Sequence, residues 1–290
     1  MSGRSVALML LLALVAMEAA PQAPPLPFLL ALKGKATVIN YTPGALDRAV
    51  HIQRRIELLV VDFSRQIKQQ LLVRIFILSR NEWSQFGFGL PYGLPGRIQG
   101  ATLAVPALGD AGTVSLWTEI LGSSPPPLPG IPLKGTAEEA STLAMADLLT
   151  EVEAARLLLS LAGIRGDEVW VHQVLAHMVA RMAFASYEGP RMGEINAFFE
   201  QLAHGSENHA LERYSPGIDL TTLLWFESRF HRGSRVLLEG GHRNGGRGIL
   251  KRAMKNGGLV TGKELLDRYP RLGEWLESSF VPSDGSPKAR

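Results

Sequence analysis

The segment VWVHQVLAHMVARMAFASY, residues 169–187, contains the chain's most suggestive chemical groups, His177 and Arg181. Helical residues four apart share a face, so these two side chains should lie together, with Trp170 and Phe184 on the same face. The segment is apolar nearly all round, which is typical of a buried helix. A buried guanidinium is costly without a counter-charge, so we expect an acidic side chain close to Arg181.

A metal site is the first chemistry to test against these residues. His172 and His177 do not suit one ion, because five residues place them about 140° apart around a helix. Glu200 and His204 are four apart, so a zinc site of His177, Glu200 and His204 is an alternative. The permanent positive charge of Arg181 argues against it. From the residues alone, we expect one solvated and one interior histidine.

The segment VLAHMVARMAFASY resembles the VLAHELAH helix of the gluzincins, the thermolysin- and aminopeptidase-like zinc peptidases also called peptidase MA-like. In that family two histidines four apart bind zinc, and the glutamate after the first histidine activates the zinc-bound water. The next helix supplies a glutamate as the third protein ligand, in many members after eighteen intervening residues. Counted from Arg181, residues 182–199 intervene and Glu200 follows. Its segment, INAFFEQLAHG, is similar to the family's WLxEGxA.

The departures from the family pattern decide what the resemblance implies. Met178 stands at the catalytic glutamate and cannot accept a proton, and Arg181 stands at the second histidine and cannot bind a cation. Of the four essential positions, His177 and Glu200 keep the family's residue type. The resemblance therefore implies a pseudo-peptidase without catalytic residues or cofactor, in which Arg181 replaces zinc and pairs with Glu200. An active zinc metallohydrolase with a rearranged ligand set is the alternative.

The elements that must position these residues predict an α+β fold. Strand-forming runs at 35–41, 71–79 and 98–105 surround a helical pattern in the N-terminal half. A small mixed sheet with helices, residues 35–121, should pack on a mainly helical half, residues 137–280. The Pro- and Gly-rich segment 122–136 between them is predicted to be a loop.

The resemblance also implies a role for the third strand, Ile98–Val105. In the gluzincins the last strand before the zinc helix forms the lip of the substrate cleft. A peptide or protein partner is therefore expected at Ile98–Val105, bound by strand addition. The alternative from another class, an unrelated helical binding domain, would lack a sheet beside the helix at 169–187.

The N-terminus predicts export. Arg4 precedes an apolar run that ends in small residues, so residues 1–20 are interpreted as a signal peptide and 21–34 as a Pro-rich lead-in. The expected location is a bacterial periplasm or exterior, with membrane attachment only through an uncleaved signal anchor.

Composition excludes several other classes of protein. The 290 residues are 46% hydrophobic and 20% charged, which is typical of a globular chain. A net charge of +3 without a basic and aromatic stripe argues against nucleic-acid binding. The chain has no cysteine, which excludes disulfides, thiolate zinc sites and a cysteine nucleophile. The last ten residues, 281–290, form a polar tail.

Overall fold

The structure, a computed structural model, describes residues 28–86, 90–98, 102–122, 136–203, 209–215, 218–240 and 245–280. The predicted signal peptide, the start of the lead-in, the interior of the 122–136 loop and the polar tail lie outside these residues.

Strands and helices follow the order expected of an α+β chain, with a mixed sheet in the N-terminal half and a helical C-terminal half. This confirms the predicted fold class. The strands are β1 (Leu30–Lys33), β2 (Thr37–Tyr41), β3 (Val73–Leu78), β4 (Gly96–Ile98), β5 (Thr102–Pro106), β6 (Arg165–Gly166) and β7 (Leu259–Val260). The helices are α1 (Leu46–Ile67), α2 (Arg80–Phe86), α3 (Ala111–Leu121), α4 (Ala137–Leu161), α5 (Val169–Tyr187), α6 (Met192–Gln201), α7 (Leu220–Glu239), α8 (Gly245–Lys255), α9 (Gly262–Arg268) and α10 (Pro270–Ser279).

The main sheet has the strand order β1-β2-β3-β5-β4. Strands β2, β3 and β5 are parallel to one another, whereas β1 and β4 run antiparallel to their neighbours. The expectation of a single cleft-edge strand over residues 98–105 was therefore wrong. The segment contributes to two strands, and β5 lies inside the sheet between β3 and β4, with all five residues buried.

The physical reason lies in the composition of the two strands. The continuous run TLAVP suits a strand covered on both faces, whereas the short GRI strand carries a charged Arg97. Strand β4 therefore forms the edge of the sheet on this side. Four further elements were not foreseen: β1, α3 and the short strands β6 and β7.

Local sequence explains where the long helices form and begin. The apolar residues of α1 that recur at intervals of three and four, including Ala49, Ile56 and Phe63, are all buried. Helix α4 begins with a capping box in which Thr136 and Glu139 each bond the other's backbone N–H. Asp219 caps α7 by accepting from the N–H of Thr222.

Helix α4 is the centre of the molecule. It packs against β5 on the sheet side, against α1, and against α5, which in turn packs against α7. Most of its residues are buried, including Asp147, Glu151 and Arg156. Among the described residues, no helix combines the length and apolar character that a membrane span requires.

Candidate functional site

The site is built around His177, whose side chain is completely buried. Its Nε2 lies 3.0 Å from Oε2 of Glu227 on α7. One turn further along both helices, Arg181 contacts His231. Because both partners advance by four residues, α5 and α7 run in the same direction at this point. The acidic partner of the helix therefore faces the histidine and not the arginine.

Glu227 joins His177 to a second cation, Arg156 of α4. Nη2 of Arg156 lies 2.5 and 2.7 Å from the two carboxylate oxygens of Glu227. The same guanidinium donates through Nε to Oε1 of Gln173, at 2.6 Å, and through Nη1 to Glu153. Three helices are thus linked through a single guanidinium group.

This network reaches the surface at the sheet edge. Arg97 of β4, half of whose side chain is exposed, places Nε 3.1 Å from Oε2 of Glu153. We call the chain of contacts Arg97–Glu153–Arg156–Glu227–His177 the charge network. It runs from an exposed edge strand to the buried centre of the protein.

The protonation states follow from burial and charge. Burial alone would raise the pKa of Glu227, but the nearby Arg156 charge and the His177 hydrogen bond lower it to about 2. Burial lowers the pKa of His177 and outweighs the opposing effect of Glu227. At neutral pH, a neutral His177 therefore donates from Nε2 to a charged Glu227, while its Nδ1 has no hydrogen-bond partner among the described residues.

Arg181 does not pair with Glu200, and that prediction was wrong. Nη1 of Arg181 donates to Oδ1 of Asn196 at 2.5 Å and lies 3.1 Å from Nε2 of His231. Glu200, whose side chain is 61% exposed, accepts instead from Arg235 at 3.2 Å. The reason is the orientation of α6, which buries Ile195, Phe198 and Phe199 and therefore turns Glu200 outward.

The remaining positions of the predicted site are not brought together. Met178 is a fully buried core residue. The alternative zinc set joined His177, Glu200 and His204, but His177 is enclosed while Glu200 is on the surface, and His204 lies outside the described residues. Within the described ranges, no group of three or more histidine, aspartate or glutamate side chains is arranged to hold a metal ion.

Zinc therefore does not fit the residues around His177. The histidine offers only Nδ1, because Nε2 is engaged with Glu227, and Glu227 is already neutralised by Arg156. A metal ion at Glu227 would have to displace or approach a fixed guanidinium. The arrangement holds fixed charges and leaves Nδ1 of the buried His177 without a hydrogen-bond partner among the described residues.

A second buried cluster, between α1 and α4, was also missed. Asp147 pairs with Arg48, and Glu151 accepts from Nε of Arg55 at 2.6 Å. Tyr187 donates to the other oxygen of Glu151. Burial raises the pKa of Glu151 to about 7, because Arg55 only partly offsets it. The available signal was a pair of carboxylates four apart, Asp147 and Glu151, within the mostly apolar run LAMADLLTEV of residues 143–152.

A narrow cleft opens beside the charge network. It is a cavity of about 60 Å³ with leucine and proline walls, and Glu153, Arg156 and Glu227 also line it. Its wall includes Leu94 and Pro95, which come directly before β4. The remaining lining residues are Leu90, Leu149, Leu220, Leu223 and Leu224.

Comparison of the chain with models of known protein families and with curated proteins finds no match.

Proposed function

We propose that the protein is a catalytically inactive, gluzincin-like protein that binds an extended peptide segment at the edge of its sheet. The observation that carries this proposal is the position of β4. It ends the sheet, with no strand paired on its other side among the described residues, and it begins where the leucine-lined cleft lies. An extended peptide could add to this edge and place an apolar side chain in the cleft.

The charge network supports a binding role and argues against catalysis. Apart from Nδ1 of His177, its groups are already engaged at neutral pH: Arg156 with two carboxylates and Gln173, and Nε2 of His177 with Glu227. Fixed ion pairs of this kind hold helices in place and give a cleft a defined floor. They do not supply the free base or metal-bound water that peptide hydrolysis requires.

The family pattern can also be aligned with α4, where only the glutamate position keeps the family's residue type, and this register supports the same conclusion. Thr150 and Ala154 stand at the histidine positions, Glu151 at the glutamate, and Gln173 follows after the eighteen residues 155–172. Helix α4 packs against β5, and α5 is the next helix. Threonine, alanine and glutamine are not zinc ligands of the usual kinds, so neither register retains a metal site.

Metal analysis of the purified full chain distinguishes this proposal from an active zinc metallohydrolase. After exposure to zinc and removal of the excess, we expect far less than one zinc ion per chain. Stoichiometric zinc that is lost in His177→Ala would contradict the proposal and favour the hydrolase.

Peptide binding is tested directly with a fluorescein-labelled hexapeptide of alternating leucine and threonine. Fluorescence anisotropy should show saturable binding, weakened at least tenfold by Leu223→Asp in the cleft wall. The matched control is Leu72→Asp, because Leu72 is 56% exposed and does not line the cleft. A hexapeptide methylated on alternate backbone nitrogens should not bind, since strand addition needs those hydrogen bonds. Equal binding of both peptides would contradict strand addition.

A further inference from the structure

A second, larger pocket has no residue in common with the leucine-lined cleft. Its volume is about 710 Å³, which is within the range of small-molecule sites. Arg181 lines it, together with residues of α1, α5, α7 and α8. From this pocket we propose that the protein binds an amphipathic anion, a long-chain carboxylate, with the anionic head on Arg181.

Arg181 makes its hydrogen bonds to neutral side chains. Its hydrogen-bond partners, Asn196 and His231, are a neutral amide and a histidine that burial keeps neutral by holding its pKa well below 6.5. No carboxylate lies within ion-pair distance of Arg181 among the described residues, and the Glu239 carboxylate attracts it only from further away. A partly buried guanidinium without a close counter-charge is costly, and a bound anion would lower that cost.

The two carboxylates that line the pocket, Asp62 and Glu239, already have partners. Asp62 accepts from Nε2 of Gln66 at 2.6 Å and lies 3.9 Å from Arg65, and Glu239 lies 3.8 Å from Arg235. Three arginines, Arg65, Arg181 and Arg247, line the pocket, against these two carboxylates. The pocket therefore favours a negatively charged ligand.

The rest of the pocket wall is mainly apolar. Leu58 and Val61 of α1, Met182 of α5 and Leu238 of α7 line the same space as Arg181. Leu58 is 47% exposed. A charged head beside an apolar wall suits a ligand with one anionic group and a hydrocarbon body, and the methionine side chain adapts readily to such a ligand.

Isothermal titration of the full chain with sodium dodecanoate tests the proposal. We expect saturable binding, with affinity at least tenfold lower for dodecanol, which lacks the charge, and for acetate, which lacks the hydrocarbon. Arg181→Gln should weaken dodecanoate binding at least tenfold. The matched control is Arg252→Gln, since Arg252 is also part-buried but pairs with Glu264 and lies outside this pocket; its affinity should stay within twofold.

A second variant keeps the test decisive if Arg181→Gln does not fold. Ala185 lies on an exposed part of α5 and lines the pocket. Ala185→Trp places an indole ring on the pocket wall and should weaken dodecanoate binding at least tenfold without changing the helical circular dichroism. The proposal is overturned if the wild type shows no saturable binding, if dodecanol binds as tightly as dodecanoate, or if Ala185→Trp binds like the wild type.

Discussion

Arg156 and Glu227 form an ion pair in the interior, with one guanidinium nitrogen 2.5 and 2.7 Å from the two carboxylate oxygens. Each side chain is only 5% exposed. The pair joins α4 to α7 across 71 positions of sequence. Glu227 also accepts from His177, so one carboxylate anchors three helices.

Loss of the Glu227 charge should destabilise the fold. In Glu227→Gln the buried Arg156 keeps Glu153 but loses the second of its two carboxylate partners. We expect the free energy of unfolding to fall by about 3 kcal/mol, as is typical when one partner of a buried pair is removed. Urea denaturation at pH 7 measures this. The control, Glu200→Gln, breaks an exposed pair with Arg235 and should cost less than about 1 kcal/mol. Equal losses in the two variants would contradict a special role for the buried pair.

His231 should make the protein sensitive to acid. Burial, assisted by the neighbouring His177 and Arg181, holds the pKa of His231 well below 6.5. As the pH falls through 6.5 the unfolded chain takes up a proton that the folded chain does not, so stability decreases. His231→Phe retains a ring that can stack on Phe199. Between pH 6.5 and 5, the free energy of unfolding of this variant should fall less steeply than that of the wild type, by about 1.4 kcal/mol per pH unit. Urea denaturation at several pH values measures both slopes, and equal slopes would refute the prediction.

Glu151 should produce a pH dependence of opposite sign. Its pKa is raised by burial to about 7, so the folded chain retains a proton that the unfolded chain releases near pH 4.5. The contribution of Glu151 to stability is therefore complete below pH 4.5 and is lost as the pH rises to 7. We expect Glu151→Gln, which mimics the protonated form, to gain stability relative to the wild type over this window. Urea denaturation at several pH values measures this. If the difference in free energy of unfolding between the variant and the wild type did not change with pH, Glu151 would be ionised over the whole window and the prediction would be wrong.

Gly233 is required for the close packing of α7 on α10. A methyl group at this position would lie 2.6 Å from the ring of Trp275, which is closer than carbon atoms approach in proteins. Gly233→Ala should therefore lower the free energy of unfolding by about 1–3 kcal/mol. At Gly193 of α6 a methyl group would enter open space, so the control Gly193→Ala should be neutral or stabilising by up to about 1 kcal/mol. Thermal denaturation measures the melting temperature of each variant. Equal decreases in the two variants would contradict the close packing of Gly233 against Trp275.

Much of the secondary structure was predictable because it depends on local patterns. The apolar spacing of α1 identified the residues that are buried, and the run of residues 169–187 predicted a buried helix, as α5 is. Such patterns report which residues share a face of one element. They also predicted, correctly, that His177 is an interior residue.

The partners of these residues were decided only by the tertiary structure. The resemblance to the gluzincins implied that Glu200 is the acid near Arg181, but the orientation of α6 exposes Glu200. The acid of the site is Glu227, fifty residues beyond His177. Likewise, the sequence identified the strand near residues 102–106 but not that β4 would cover its edge. Helical and strand periodicities define the faces of an element, whereas the element that meets each face depends on how all of them pack together.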